Sequence, residues 1–151
     1  MADGQTDKGR ALILGYAFDS TTIPTNFYLA LCTSTTTPTR ATDSLDELEE
    51  INAGNGYTSG GSALAAGSAF TVTESDGAGG IGAKVVADDV TFTAAGGPIP
   101  SSGSARWAVL LDGNSSTANV ISYYDLSSDR SVSDTQFLKI KACEIDLNEP
   151  A

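Results

Sequence analysis

The sequence has no histidine, which removes the side chain that most often acts as general base beside a Ser or Cys nucleophile and the commonest neutral metal ligand. Cations are scarce as well: 8 Lys and Arg stand against 19 Asp and Glu, for a net charge of −11. Lys8, Arg10, Arg40, Lys84, Arg106 and Arg130 are scattered, and only Lys139 and Lys141 lie close together, at strand spacing. Affinity for nucleic acid comes mainly from Lys and Arg neutralising phosphates, so the balance argues against a nucleic-acid partner. Long apolar runs are missing too. Nothing approaches the roughly 20 residues of a membrane-spanning helix, and the first 30 residues lack a basic start followed by a long apolar core. The expectation is a soluble chain made without a cleaved leader, with no membrane partner. Of the two cysteines, Cys32 and Cys143 sit on candidate core strands far apart in sequence. A pairing between neighbouring strands is conceivable, but no leader points to an oxidising compartment, and two buried thiols are the expectation.

What the chain has in excess is small residues: Gly, Ser and Thr make up 50 of 151 positions. Such a composition suits either disorder or an all-β domain with Thr on strand surfaces and Gly, Ser and Asn in turns. A hydrophobic share of 40% supplies a core and favours the β domain. The length is that of one domain, able to bury roughly two-thirds of its unfolded surface.

Residues 1–10, MADGQTDKGR, read as a flexible polar arm. Beyond it, Leu12, Ile13, Tyr16 and Ala17 form one helical stripe over 11–20, with Thr6 or Asp7 as N-cap. After a turn at Pro24, NFYLALCT is apolar on both faces and reads as a central strand. Ser44 or Asp43 can cap a short helix through Leu45, Leu48 and Ile51, with Asp46, Glu47, Glu49 and Glu50 toward water. Residues 52–61 read as a turn anchored by Tyr57, and Leu64 to Thr73 as a second strand. Lys84 to Thr93 is a third, with a change of face near Asp88 and Asp89 that suggests a bulge. AAGGPIPSSGS reads as an exposed connection. RWAVLLD, again apolar on both faces, is followed by a turn at Asp112-Gly113-Asn114 into a strand over 119–126, and SSDRSVSD by another turn. In the last strand, 135–147, the apolar phase slips by one residue between Ala142 and Cys143, which predicts a β-bulge. Residues 148–151 form a polar tail.

Several motifs dissolve on inspection. Gly77, Gly79 and Gly82 fit G-x-G-x-x-G as a string, but strand sequence follows where a dinucleotide site needs a helix. The acids at 46–50 lack the alternating ligand spacing of a calcium loop and read as a solvated face. Asn114-Ser115-Ser116 matches a glycosylation sequon but reads as turn chemistry. Carboxylate pairs such as Asp88 with Asp89, or Asp125 with Asp129, invite a glycosidase reading; with 19 acids, chance pairs are inevitable. The expectation is therefore no enzyme, no cofactor and no metal site. The whole reads as a mainly β fold, a β-sandwich or jelly-roll-like domain over 11–147 with one or two short peripheral helices.

The segments NFYLALCTSTTTPT, GNGYTSGG, DDVTFTAAGGPIP and RWAVLLDG, in that order, resemble a group of small tailed-bacteriophage virion proteins described as capsid-decorating or tail-fibre-like. The resemblance covers roughly residues 8–147 and rests on strand and turn motifs. It implies a β-sandwich on the virion that self-associates, often as trimers. The leading expectation is a decoration or cement protein on the outer head surface, with the major capsid protein and copies of itself as partners. An arm that orders on docking would place Ala2, Asp3, Gln5, Lys8 and Arg10 at the contact. The alternative is a tail or fibre component binding a host glycan through Tyr57, Trp107, Tyr123 or Tyr124, for each of which core or strand-edge packing is the competing role.

Overall fold

Strands that are apolar on both faces need cover on both faces, and the chain supplies it. The computed structural model describes residues 3–74 and 82–147. In β2 (Asn26–Cys32), Leu29 and Leu31 enter one hydrophobic cluster while Ala30 and Cys32 enter another. In β7 (Ala105–Leu111), Ala108 and Leu110 join the first, and Trp107, Val109 and Leu111 the second. These two strands are the middle of a five-stranded antiparallel sheet completed by β1 (Asp3–Gln5), β3 (Ser62–Ala65) and β8 (Val120–Arg130), in the order β1-β8-β7-β2-β3. The fold is mainly β, as expected.

The first cluster is roofed by two smaller antiparallel sheets. One has the order β10-β5-β4, from β4 (Phe70–Glu74), β5 (Ala83–Ala87) and β10 (Glu144–Leu147); the other pairs β6 (Val90–Thr93) with β9 (Phe137–Ile140). The side chain of Gln5 in β1 donates to the Asp146 carbonyl in β10 at 2.9 Å, tying the layers together at one margin. The second cluster is covered by the segment around a 3-10 turn, Leu45–Glu47. A helix through Ile51 was expected here and does not form. Leu45 and Leu48 pack in the second cluster but Ile51 in the first, so the three cannot share a helical stripe. Glu50, expected to face water, is half-buried and accepts hydrogen bonds from Tyr57 Oη, Ser59 Oγ and Gly60 N.

Two segments read as single strands are each two strands that change sheets. In 84–93, β5 ends at Ala87 and β6 begins at Val90; in 135–147, β9 ends at Ile140 and β10 begins at Glu144. No bulge is needed at Ala142–Cys143 or at Asp88–Asp89. Val86 faces Glu144 and Val90 faces Ile140, so both chains use the same number of residues between the sheets and bend together. Both phase slips follow from that corner. Ala142 takes φ 54°, and the Asp89 carboxylate receives its N–H together with the Lys139 ammonium at 2.9 Å. The Lys139 hydrogen bond holds the Asp89 carboxyl below its usual range. Leu64 to Thr73 splits likewise into β3 and β4, in different sheets.

The polar start of the chain is not a loose arm over its described part. Asp3–Gln5 pair with Tyr124, Tyr123 and Ser122 of β8, and α1 spans Asp7–Phe18, beginning four residues before the expected 11–20. Thr6 is the N-cap, accepting from Gly9 N at 2.8 Å. The exposed connection at 94–104 needs correcting too: Ala94 and Ile99 are buried, and Ile99 and Val132 exchange both backbone hydrogen bonds at 2.9 Å. The turn expected at 127–134 starts late, because β8 runs on to Arg130.

Cys32 and Cys143 are both buried thiols, in separate clusters on opposite faces of the large sheet. Burial, with the Glu50 carboxylate adding to it, pushes the Cys32 thiol up to about 12, whereas an unfolded thiol ionises near 8.5. The folded state thus holds a proton that the unfolded state releases, and this contribution to stability is complete below about pH 8.5 and lost as pH rises toward 12. Stability is expected to fall by on the order of 3 kcal/mol between pH 9 and 11 from this thiol, and by clearly less in Cys32→Ala, as read by urea titrations at each pH. In the native protein neither thiol should react with a disulfide reagent at pH 8.

Candidate docking surface

The residues that gave α1 its expected stripe do face inward: Leu12 and Ile13 pack against the first cluster. Leu14 and Phe18, spaced i to i+4, form a second apolar stripe that points to solvent, 58% and 85% exposed. Ile23 in the following loop and Val72 on β4 are also exposed. Beside Ile23 and Val72 the sandwich stays open beneath α1. A cleft of about 420 Å³ runs inward from Ile23 and Val72, past Ile13, Tyr16, Phe27 and Phe70, to Leu110 and Ile145 on the facing sheets. Its aromatic wall is ordered by edge contacts, Tyr16 to Phe27 at 6.3 Å and Phe27 to Phe70 at 5.4 Å between ring centroids. Burial, with Asp112 adding to it, raises the Tyr16 phenol, so that ring stays neutral.

An apolar cleft opening beside exposed Ile23 and Val72 is a place where binding removes hydrocarbon from water, and exposed apolar surface of this kind marks an interaction surface. The signal was present in the sequence as Leu14, Phe18 and Ile23, three large apolar residues left over once the inward stripe of α1 is assigned.

The residues expected at a contact lie elsewhere. Ala2 is outside the described residues. Asp3 and Gln5 are in β1, with the Gln5 amide engaged by Asp146. Lys8 and Arg10 are exposed on the first turns of α1, about 12–15 Å along the axis from Phe18. The aromatic residues considered for sugar binding fill packing roles: Tyr57, Trp107 and Tyr124 are buried, and half-buried Tyr123 stands edge-on to Trp107 at 6.2 Å beneath the backbone of Gly4. Asp125 is paired with Arg106 at 3.0 Å and Asp89 with Lys139. Gly77 and Gly79 lie outside the described residues; after Gly82 comes β5, whose Ala83 faces Glu74 of β4. Among the described residues no group of three or more carboxylates and thiols is placed to hold a metal, and no helix is long and apolar enough to cross a membrane.

The chain matches no family model, no curated protein and no solved structure.

Proposed function

We propose that this protein is a structural component of a tailed-phage virion, a decoration or cement protein that docks on the outer head surface and reinforces contacts between shell subunits. The observation that carries the reading is exposed apolar surface in two places: Leu14 and Phe18 on the outer face of α1, and Ile23 and Val72 at the mouth of an open cleft. The resemblance of its strand and turn segments to small virion proteins supplies the class of partner, the major capsid protein with further copies of this chain. Burial of Phe18 and its neighbours against a shell subunit would contribute on the order of 2 kcal/mol per large side chain.

The reading is tested on particles. Purified protein is expected to rebind shells stripped of it, and the double variant Phe18→Ser, Ile23→Ser to lose at least tenfold in affinity with an unchanged unfolding midpoint. Cryo-electron microscopy that placed the chain only on the tail would overturn the proposal, as would full rebinding by the double variant. The sugar-binding alternative has no such surface behind it, since its aromatic residues are packed inside or against Gly4.

A further inference from the structure

Three of the eight cations of this acidic chain line one cavity. Arg130 at the end of β8, Lys139 in β9 and Lys141 just beyond it border a space of about 330 Å³ whose inner wall includes Leu126 and Leu138. Lys139 is paired with Asp89, whose carboxylate also feels the charge of Lys141; neither Lys141 nor Arg130 forms an ion pair of its own among the described residues. The Arg130 guanidinium is held by the Leu126 carbonyl, at 3.3 Å from Nε and 3.2 Å from one terminal nitrogen, which leaves donors of its fork for another acceptor.

The cavity lies along the edge of a strand. Leu138, Lys139 and Ile140 are consecutive and all three line it, whereas successive side chains of a strand point to opposite faces. A space touched by three in a row therefore runs along the strand's edge. β9 pairs with β6 on one side and with no described strand on the other. Phe137, at the head of the same strand, is 62% exposed. An unpaired edge, an apolar inner wall and three cations with no acid among the lining residues are the three things an extended acidic peptide needs: main-chain partners, pockets for alternate apolar side chains, and charge-assisted hydrogen bonds for its carboxylates.

We infer that the free edge of β9 is a strand-addition site for an extended, acidic segment of a partner protein, with Arg130 and Lys141 holding its carboxylates. This inference does not depend on the virion reading, since it concerns a different face and needs no particle.

The test uses the full chain and a short fluorescein-labelled peptide of alternating glutamate and valine, with binding followed by anisotropy. Binding is expected to weaken steeply with salt, to drop about tenfold in Arg130→Gln, Lys141→Gln, and to vanish when alternate peptide amides are N-methylated. Both substituted side chains are at the surface, so an unchanged unfolding midpoint checks the fold. Equal binding of a peptide with lysine in place of glutamate, unchanged affinity in the double variant, or retained binding of the N-methylated peptide would each overturn the inference. Sedimentation showing self-association that the double variant abolishes would assign the edge to a second copy and overturn it as well.

Discussion

Replacing Gly9 by alanine is expected to lower the melting temperature by about 6–12 °C, from a loss of about 3 kcal/mol. The sign is informative, because in a helix exposed on all sides the same change would stabilise by up to about 1 kcal/mol. What reverses it is the contact with β8. Leu110 faces Ser122 and Leu111 faces Val120, so Ile121 is an extra residue that bulges the strand toward α1. The freed carbonyls are taken by Thr6, whose N–H donates to Ile121 at 3.1 Å and whose hydroxyl donates to Val120 while accepting from Gly9. This draws the first turn of the helix so close that a Cβ on Gly9 would overlap the Ile121 carbonyl oxygen and stand 2.6 Å from its Cα. Backbone atoms on both sides leave nothing flexible to yield. Thermal unfolding of Gly9→Ala beside Thr6→Val, expected to cost about 1–2 kcal/mol through the lost cap, checks the account; a Gly9→Ala protein as stable as the parent would refute it.

Tyr57→Phe is expected to cost about 2–3 kcal/mol although the ring remains. The phenol stands where the next residue of a neighbouring strand would be: it accepts from Leu31 N at 3.0 Å near the end of β2 and donates to Glu50 at 2.7 Å. Phenylalanine keeps the ring contact with Phe92, at 5.4 Å between centroids, but leaves a buried N–H without an acceptor and the half-buried Glu50 carboxylate with one donor fewer. Urea unfolding gives the free energy. Hydrogen exchange at the Leu31 amide localises it, since protection there should fall by more than in the parent's other β2 amides.

The same loop shows how far reading by residue type carries. Tyr57 was legible as an anchor because a lone aromatic among Gly and Asn has to be held by something, and the turn does use positive φ at Gly54, Asn55 and Gly56. The partner was not legible. Glu50 looks like one more acid of a solvated face, and only the fold brings Tyr57, Ser59 and Gly60 around it. The apolar phase slips at Asp88–Asp89 and Ala142–Cys143 were equally visible, yet each alone is indistinguishable from a bulge. Their meaning as one corner requires knowing that the two segments are paired.

At the candidate surface, α1 was legible from its inward stripe and its Thr6 cap. The role of Gly9 in its first turn was not, because glycine weakens helix propensity and its value here lies in the approach to Ile121. For the same reason residues 3–5 read as loose: a short polar strand carries no apolar alternation, and its order comes from hydrogen bonds to β8.

By itself the sequence determined that the chain is mainly β, that β2 and β7 lie at its centre, and that both cysteines are buried, because burial and alternation are local properties written in residue type. Tertiary structure alone decided which strands share a sheet, where the chain turns from one sheet into the next, and which apolar residues are left uncovered around the cleft under α1. Those outcomes depend on pairings between residues far apart in the chain, and a local pattern has no information about its partner.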